Sequence, residues 1–231
     1  MIKNLKYLKY YAKVLINNWT VNRESYAQHD EDKLIELLLP EGVDNFIDIG
    51  ANDGVLFSNT YKFAKEGAKG LCIEPSPSAY RKLRLNHIFH KKVKCVNAAI
   101  SNKNGKIFLN EDGYESTLSR VTNEKSHKSN EVSCYTFDEI LNKNSDLQKI
   151  DLLSIDVEGH EKKVIEGLKR TYFRTKIIVI ESDKSEIGKL LTMEGLKDYY
   201  PIYTNSLNTI LAHNEVDINR PKQLIEGFTP W

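Results

Sequence analysis

The nine residues from Phe46 to Gly54, FIDIGANDG, constrain this chain more than any other stretch. They open in a short apolar run, Val43 to Ile49, with the length and composition of a buried parallel strand. Asp48 stands near its end, and a Gly-Ala-Asn-Asp-Gly turn then leads toward a helical pattern. Glycines in such a turn reach torsions that a Cβ forbids and let backbone approach a ligand. A helix N-terminus beyond it offers free N–H groups, which suits a polar or anionic ligand. Gly50 and Gly54 form G-x-x-x-G, not the G-x-G-x-x-G of dinucleotide-binding turns. The stretch therefore reads as a first strand-to-helix turn, used either for a nucleotide-like cofactor or simply as a βα connection.

From Val43 onward, strand and helix patterns alternate. Ser58 to Glu66 predicts a helix ending at Gly67, Gly70 to Ile73 a second strand, and Ser78 to His87 a second helix. Val93 to Val96 and Ile150 to Ile155 predict the third and fourth strands, with a helix over Lys162 to Leu168. Lys176 to Ile180 predicts a fifth strand, and Tyr199 to Thr204 and Thr209 to His213 two more around an Asn-Ser-Leu-Asn turn. Such alternation implies βαβ units, a mostly parallel sheet and right-handed crossovers that place helices on both faces. Ser101 to Glu131 breaks the rhythm: it is polar, with turn pairs at Asn104-Gly105 and Asp112-Gly113. It contains two weak strand runs, Lys106 to Leu109 and Glu131 to Tyr135, and a short helix over Phe137 to Leu141 follows. An insertion of this length is either functional or mobile. Ser116-Thr117-Leu118-Ser119 inside it is a candidate site contact.

Residues 1–42 read as a helical appendage, 43–214 as the main domain and 215–231 as a polar, partly ordered tail. Apolar residues at Ile2, Leu5, Leu8, Ala12, Leu15 and Trp19 follow a helical period, with Lys3, Lys6, Lys9 and Lys13 between them. Such a basic amphipathic helix packs on its own domain or a partner subunit, or makes at most peripheral contact with an anionic membrane. Ser25 to Pro40 predicts a second helix, capped by Ser25 or Asp30 and ended by Pro40. The polar cluster Gln28 to Asp32 exceeds what a cap requires, so it serves either as a solvated helix start or at the mouth of the site.

With 33 basic and 32 acidic residues the net charge is +1, which argues against a broad nucleic-acid surface. No apolar run approaches the roughly 20 residues that span a bilayer, and no secretory h-region is expected. Cys72, Cys95 and Cys134 lack metal or disulfide spacing, so free thiols in a reducing, cytoplasmic setting are expected.

In open α/β sheets, ligands bind beyond the carboxyl ends of the strands. Asp48, Glu74, Asp156 and Glu181 all stand at such ends, and Glu158 lies just beyond. Glu74 closes the second strand, where a carboxylate grips a ribose diol; that feature serves NAD and S-adenosylmethionine (SAM) alike. The run Asp156-Val157-Glu158-Gly159-His160-Glu161 places three acids and a histidine after a buried strand, costly unless they are used. Glu158 or His160 can take a substrate proton. Asp156, Glu158 and Glu181 can alternatively hold a divalent cation such as magnesium. Glu161 is well explained as an acid complementing a helix N-terminus.

In combination, FIDIGANDG, IEPSPSAYRKLRLN, VNAAIS, YTFDEIL, LLSIDVEGHEKKVIEG and IIVIES resemble the FkbM family of SAM-dependent methyltransferases, from about Asp44 to Ser182. SYAQHDEDKL and FSNTYKFAKEGAKGLCIEP resemble a subgroup with a Ser-x-x-Gln-x-x-Glu-Asp element. The resemblance implies a Rossmann-like class I methyltransferase fold, with a seven-stranded, mostly parallel sheet and an antiparallel last strand. It implies SAM as methyl donor and O-methylation of a sugar or glycan hydroxyl, as in polysaccharide biosynthesis. His160 departs from the family pattern, which has a small residue such as Ala there.

On this reading the turn containing Gly50, Asn52 and Asp53 holds the methionine part of SAM, with Asp48 or Asp156 near its ammonium. Glu74, with Pro75 and Ser76, binds the ribose, Asn97 to Ala99 (including Ala98) border the adenine, and Gln28 contributes from the N-terminal element. Glu158 or His160, with His29 as an outsider, is the base. A homo-oligomer is compatible. A nicotinamide-dependent sugar-modifying oxidoreductase and a non-catalytic methyltransferase-like module are the rival readings; the first lacks G-x-G-x-x-G.

Overall fold

The computed structural model describes residues 2–110, 120–122, 129–147, 149–168, 174–182, 184–219, 221 and 224–231. Ser116 to Ser119 lie outside the described residues. The apolar stretches read above become β1 (Asn45–Ile49), β2 (Lys69–Ile73), β3 (Val93–Val96), β8 (Ile150–Ile155), β9 (Thr175–Glu181), β10 (Tyr199–Thr204) and β11 (Asn208–His213). With β12 (Thr229–Pro230) they form one eight-stranded sheet in the order β12-β10-β11-β9-β8-β1-β2-β3. β1 pairs in parallel with β2 and β8, β2 with β3, and β8 with β9, whereas β11 runs antiparallel to β9. This is the expected mostly parallel sheet, its seven strands extended by the two-residue β12.

Period-two alternation sends successive side chains to opposite faces. Phe46, Cys72, Leu152 and Ile177 pack on one face against Leu34, Ile35, Phe63 and Leu83. These come from α2 (Glu31–Leu38), α3 (Tyr61–Lys65) and α4 (Pro77–Asn86). Ile47, Leu71, Leu153 and Ile178 pack on the other face against Phe137, Val164 and Ile187. These lie in α5 (Phe137–Asn142), α6 (Glu161–Glu166) and α7 (Lys184–Leu190). Fully burying one such aliphatic or aromatic side chain stabilises by about 1.5–3 kcal/mol.

The polar insertion builds a second sheet of β4 (Ala99–Ile100), β5 (Gly105–Asn110), β6 (Arg120–Thr122) and β7 (Ser129–Tyr135), in the order β4-β7-β5-β6. Its own small core of Ala99, Ile107, Leu109, Val132 and Cys134 explains why so polar a segment orders there.

Several expectations are corrected. The helix expected over Ser25 to Pro40 begins only at Glu31, and neither Ser25 nor Asp30 caps it. Asp30 occupies the N-cap position at φ 63 with no side-chain cap bond. Instead Asp32 folds back, accepting from the Ser25 hydroxyl at 2.5 Å and the Tyr26 N–H at 2.8 Å. The helix expected from Ser58 starts at Tyr61 because the Ser58 hydroxyl oxygen accepts the Thr60 and Tyr61 N–H groups. α7 and the 3₁₀ turn Glu194–Leu196 fill a stretch for which the sequence predicts no element. The tail is also better anchored than its polarity suggests. Ile218 and Phe228 are buried, Asn219 bonds the Leu37 and Leu38 carbonyls, and β12 pairs with β10.

α1 (Ile2–Thr20) packs beside α4. The Trp19 indole N–H donates to the Leu85 and Asn86 carbonyls at 3.2 Å, and the Asn18 amide donates to Asn86 Oδ1 at 3.1 Å. The three cysteines are free, and among the described residues no helix is long and apolar enough to cross a membrane.

Candidate active site

The sheet reverses its building direction between β1 and β8, and a cavity of about 270 Å³ opens beyond the carboxyl ends of β1, β2, β8 and β9. Gln28, Asp48, Gly50, Asn52, Glu74, Pro75, Ala98, Ala99, Asp156, Glu158, His160 and Glu181 all line it. Tertiary structure thus gathers most of the residues picked out in the sequence into one cavity. Asp53, Ser76 and His29 do not line it. Asp53 Oδ1 accepts the Val55 and Leu56 N–H groups at 2.9 Å and so shapes the turn. Ser76 caps α4, its hydroxyl accepting the Ala79 N–H at 3.3 Å. The His29 N–H donates to Glu31 Oε2 at 2.9 Å, beside Gln28 on the cavity wall.

The turn after β1 is held from two sides. The Gly50 and Ala51 N–H groups donate to the Ile73 carbonyl at 2.9 and 3.1 Å, and the Asp156 N–H donates to the Ile49 carbonyl at 3.0 Å. Gly50 has φ +87, and a Cβ there would lie 1.6 Å from the Asp156 carbonyl oxygen. Gly54, at φ +79, has no room either: a Cβ would lie 2.5 Å from Leu83 Cδ1 and 2.9 Å from His87 Nε2. Both glycines are dictated by close approach of neighbouring elements.

Glu74 is buried where β2 ends. Its Oε2 accepts the Asn52 N–H at 2.9 Å and its Oε1 the Ser76 N–H at 2.7 Å. The carboxylate therefore ties the first turn to the second, and it does so on the cavity wall, where a carboxylate suits hydroxyl donors. The Asn97 amide fastens the far side, donating to the Glu74 and Pro75 carbonyls at 2.8 and 2.9 Å. Ala98 and Ala99 then line the cavity beside it.

Asp48 is buried beneath the turn, and burial raises its pKa to about 6, a rise that the Thr60 and Ser154 hydroxyls restrain. Thr60 Oγ1 donates to Asp48 Oδ2 at 2.6 Å. Asp156 is accessible from the cavity, yet the protein enclosing that cavity raises its pKa well above the ordinary carboxyl range. Desolvation is the main cause, followed by the Glu181 carboxylate, with which Asp156 shares a hydrogen bond, and then by Glu158 and Asp48. Among the described residues no group of three or more His, Cys, Asp and Glu side chains is placed to hold a metal ion.

The loop before α6 is strained. Glu158 has φ 53 and Gly159 φ 90, a left-handed pair that presents Glu158 at the cavity. Glu161 supports it, its Oε1 accepting the Val157 and Gly159 N–H groups at 3.2 and 3.1 Å. His160 Nε2 lies 3.0 Å from the Ser101 hydroxyl, and burial lowers the imidazole's pKa so that the ring is neutral at pH 7.

Sequence reasoning missed Ser58, Asn59, Thr60, Ser154 and Asn208. Ser58, Asn59, Ser154 and Asn208 line the cavity. Thr60 bonds the buried Asp48. Ser154 carried a usable signal, being a hydroxyl inside an otherwise apolar strand. Asn208 is held by Glu31, whose Oε1 accepts the Asn205 and Asn208 amides at 2.7 Å each. The Gln28 to Asp32 cluster is thus no solvated helix start: Glu31 and Asp32 are fully buried, and Gln28 reaches the cavity.

A model of the methyltransferase FkbM domain matches residues 48–219 of the chain. Over 175 residues, 68% of this chain and 71% of the relative, the chain is 29% identical to the 2-O-methyltransferase NoeI of Sinorhizobium fredii (strain NBRC 101917 / NGR234). Among solved structures it is similar to methyltransferase FkbM from Methylobacillus flagellatus KT, with a TM-score of 0.50 and 12% identity. That likeness covers 74% of this chain, which spans only 43% of that longer chain. The METTL16 methyltransferase domain is also similar, with a TM-score of 0.50 and 13% identity over 79% of this chain and 65% of that one. These two likenesses speak to the fold, that of Rossmann-like class I methyltransferases. The family model takes in well over half of the chain, including every strand end that lines the cavity and selecting methyl transfer over nicotinamide chemistry: the chain belongs to the FkbM methyltransferase family.

Proposed function

We propose that this methyltransferase is SAM-dependent and transfers a methyl group to a hydroxyl of a sugar or glycan acceptor. One observation carries the reading of the cofactor: Glu74, at the end of β2, bonds the Asn52 N–H of the first turn inside the same cavity as Asp48 and Asp156. The residues fit the group. The turn approaches its neighbours too closely for a Cβ, the Glu74 carboxylate lines the cavity where it suits a ribose diol, and Asp48 is ionised at neutral pH to face an ammonium. SAM supplies an electrophilic methyl group on a sulfonium centre. Glu74 and the backbone at Ala98 and Ala99 hold the nucleoside end, and Asp48 with Gly50 and Asn52 holds the amino-acid end.

The acceptor hydroxyl enters from the side of Gln28, Glu158 and His160. Glu158 takes its proton, held toward the cavity by the left-handed loop, while neutral His160 is the second acceptor in reach. The chain's main contribution is alignment of the acceptor oxygen. The similarity to a 2-O-methyltransferase supports oxygen as the atom methylated. No metal is required by this scheme.

Calorimetry with SAM tests the cofactor. The wild-type chain is expected to bind, and Glu74→Gln, which keeps one acceptor oxygen, is expected to bind about tenfold to a hundredfold more weakly through lost charge-assisted bonds. Absence of heat with the folded wild-type chain rejects the scheme. Radiolabelled methyl transfer to glycan acceptors tests the base: Glu158→Gln is expected to lower turnover about a hundredfold with SAM affinity unchanged. Full turnover in that variant removes Glu158 from the role.

A further inference from the structure

The net charge of +1 conceals a segregation. Residues 1–23 contain five basic and no acidic residues, and residues 75–110 contain eight basic and again no acidic residue. That leaves 20 basic against 32 acidic residues in the rest of the chain. The two acid-free stretches are remote in sequence, yet the fold joins them, because α1 packs on α4 through Asn18, Trp19 and Asn86. Trp19 and Phe89 meet edge to face with ring centroids 4.8 Å apart.

This joint face also exposes apolar side chains. Ile16 is 54% exposed, Ile88 56% and Phe89 66%, although each is large enough to repay burial. Lys13, Arg81, Arg84 and Lys91, on the same two packed segments, are exposed as well, and among the described residues none of these four pairs with a carboxylate.

We propose that the α1–α4 face is a docking surface for an anionic lipid bilayer. A bilayer surface matches both halves of the pattern: aliphatic and aromatic side chains enter the boundary between headgroups and acyl chains, and cations meet lipid phosphates. A nucleic acid matches the charge and leaves Ile16 and Ile88 unused. A second copy presenting the same face is repelled by like charge. The face is continuous with the cofactor turn, since the Asn86 amide donates to the Asp53 carbonyl at 2.7 Å, and exposed Leu56 and Phe57 of that turn line the cavity. The proposal stands whether or not the acceptor is a glycan.

Co-sedimentation of the full chain with vesicles tests it. The chain is expected to pellet with vesicles of equimolar phosphatidylcholine and phosphatidylserine, to stay in solution with phosphatidylcholine alone, and to be released by salt. The triple variant Arg81→Gln, Arg84→Gln, Lys91→Gln is expected to bind roughly a hundredfold more weakly. Ile88→Ser, with an unchanged melting transition, is expected to bind about fivefold more weakly. Three results overturn the proposal. They are failure to pellet with phosphatidylserine vesicles, equal pelleting with both compositions, and vesicle binding that Ile88→Ser leaves intact while duplex RNA competes for it.

Discussion

Replacing Gly50 by Ala is expected to abolish cofactor binding and to cost the fold about 3 kcal/mol or more. The cause is steric. At φ +87 an L side chain is already strained, and its Cβ would lie 1.6 Å from the Asp156 carbonyl oxygen. That oxygen cannot swing away as a flexible side chain would, because the Asp156 N–H is fixed to the Ile49 carbonyl at 3.0 Å. The ends of β1 and β8 must therefore separate. Their separation moves Asp48 and Asp156 apart and breaks the backbone path of the turn to Ile73. Calorimetry with SAM and chemical denaturation check this together: binding at least a hundredfold weaker is expected, with a lower unfolding midpoint. Wild-type affinity in Gly50→Ala would show that the turn is not the cofactor's seat.

Glu31→Ala is expected to destabilise the chain by about 3–5 kcal/mol. Glu31 is fully buried, and its carboxylate accepts the Asn205 and Asn208 amides at 2.7 Å and the His29 N–H at 2.9 Å. Alanine leaves one buried and two part-buried donors without this acceptor, the buried one alone costing roughly 1–3 kcal/mol. The same carboxylate joins the segment bearing Gln28 to the start of β11 bearing Asn208, and both of those side chains line the cavity. Glu31→Gln, which keeps one acceptor oxygen, is expected to fold with a smaller loss and to raise the acceptor KM while SAM affinity holds. Denaturant midpoints measure the first effect and steady-state kinetics the second. An alanine variant as stable as wild type would show that these bonds do not hold the wall.

Much of the site was legible in the chain because parallel strands impose their own order. A strand, a glycine turn and an acid at the next strand end are local signals, and a parallel sheet carries all such ends to one edge. Asp48, Gly50, Glu74, Asp156 and Glu158 were legible on that basis. Asp53 and Ser76 bond backbone instead of lining the cavity, because a short polar side chain beside a helix start satisfies the backbone as readily as a ligand. His29 does not line the cavity because its neighbour Gln28 takes the cavity-facing position.

Asn208, Thr60 and the buried state of Glu31 carried no comparable signal. Their meaning depends on partners far along the chain: Glu31 meets Asn208 only because α2 packs against the same sheet whose edge β11 joins. The tail was misread for a related reason, since Ile218 and Phe228 are isolated apolar residues in a polar stretch and become anchors only when a pocket exists for them.

Local chemistry in the sequence therefore determined the α/β alternation, the position of the ligand turn and the acids of the strand ends. Tertiary structure alone decided the remainder. It chose which acid hydrogen-bonds with which, built a second sheet from a polar insertion, buried the Glu31 carboxylate, and packed one acid-free stretch on another. Those outcomes depend on through-space distance and on exclusion of water, and neither quantity is defined until the strands and helices have packed.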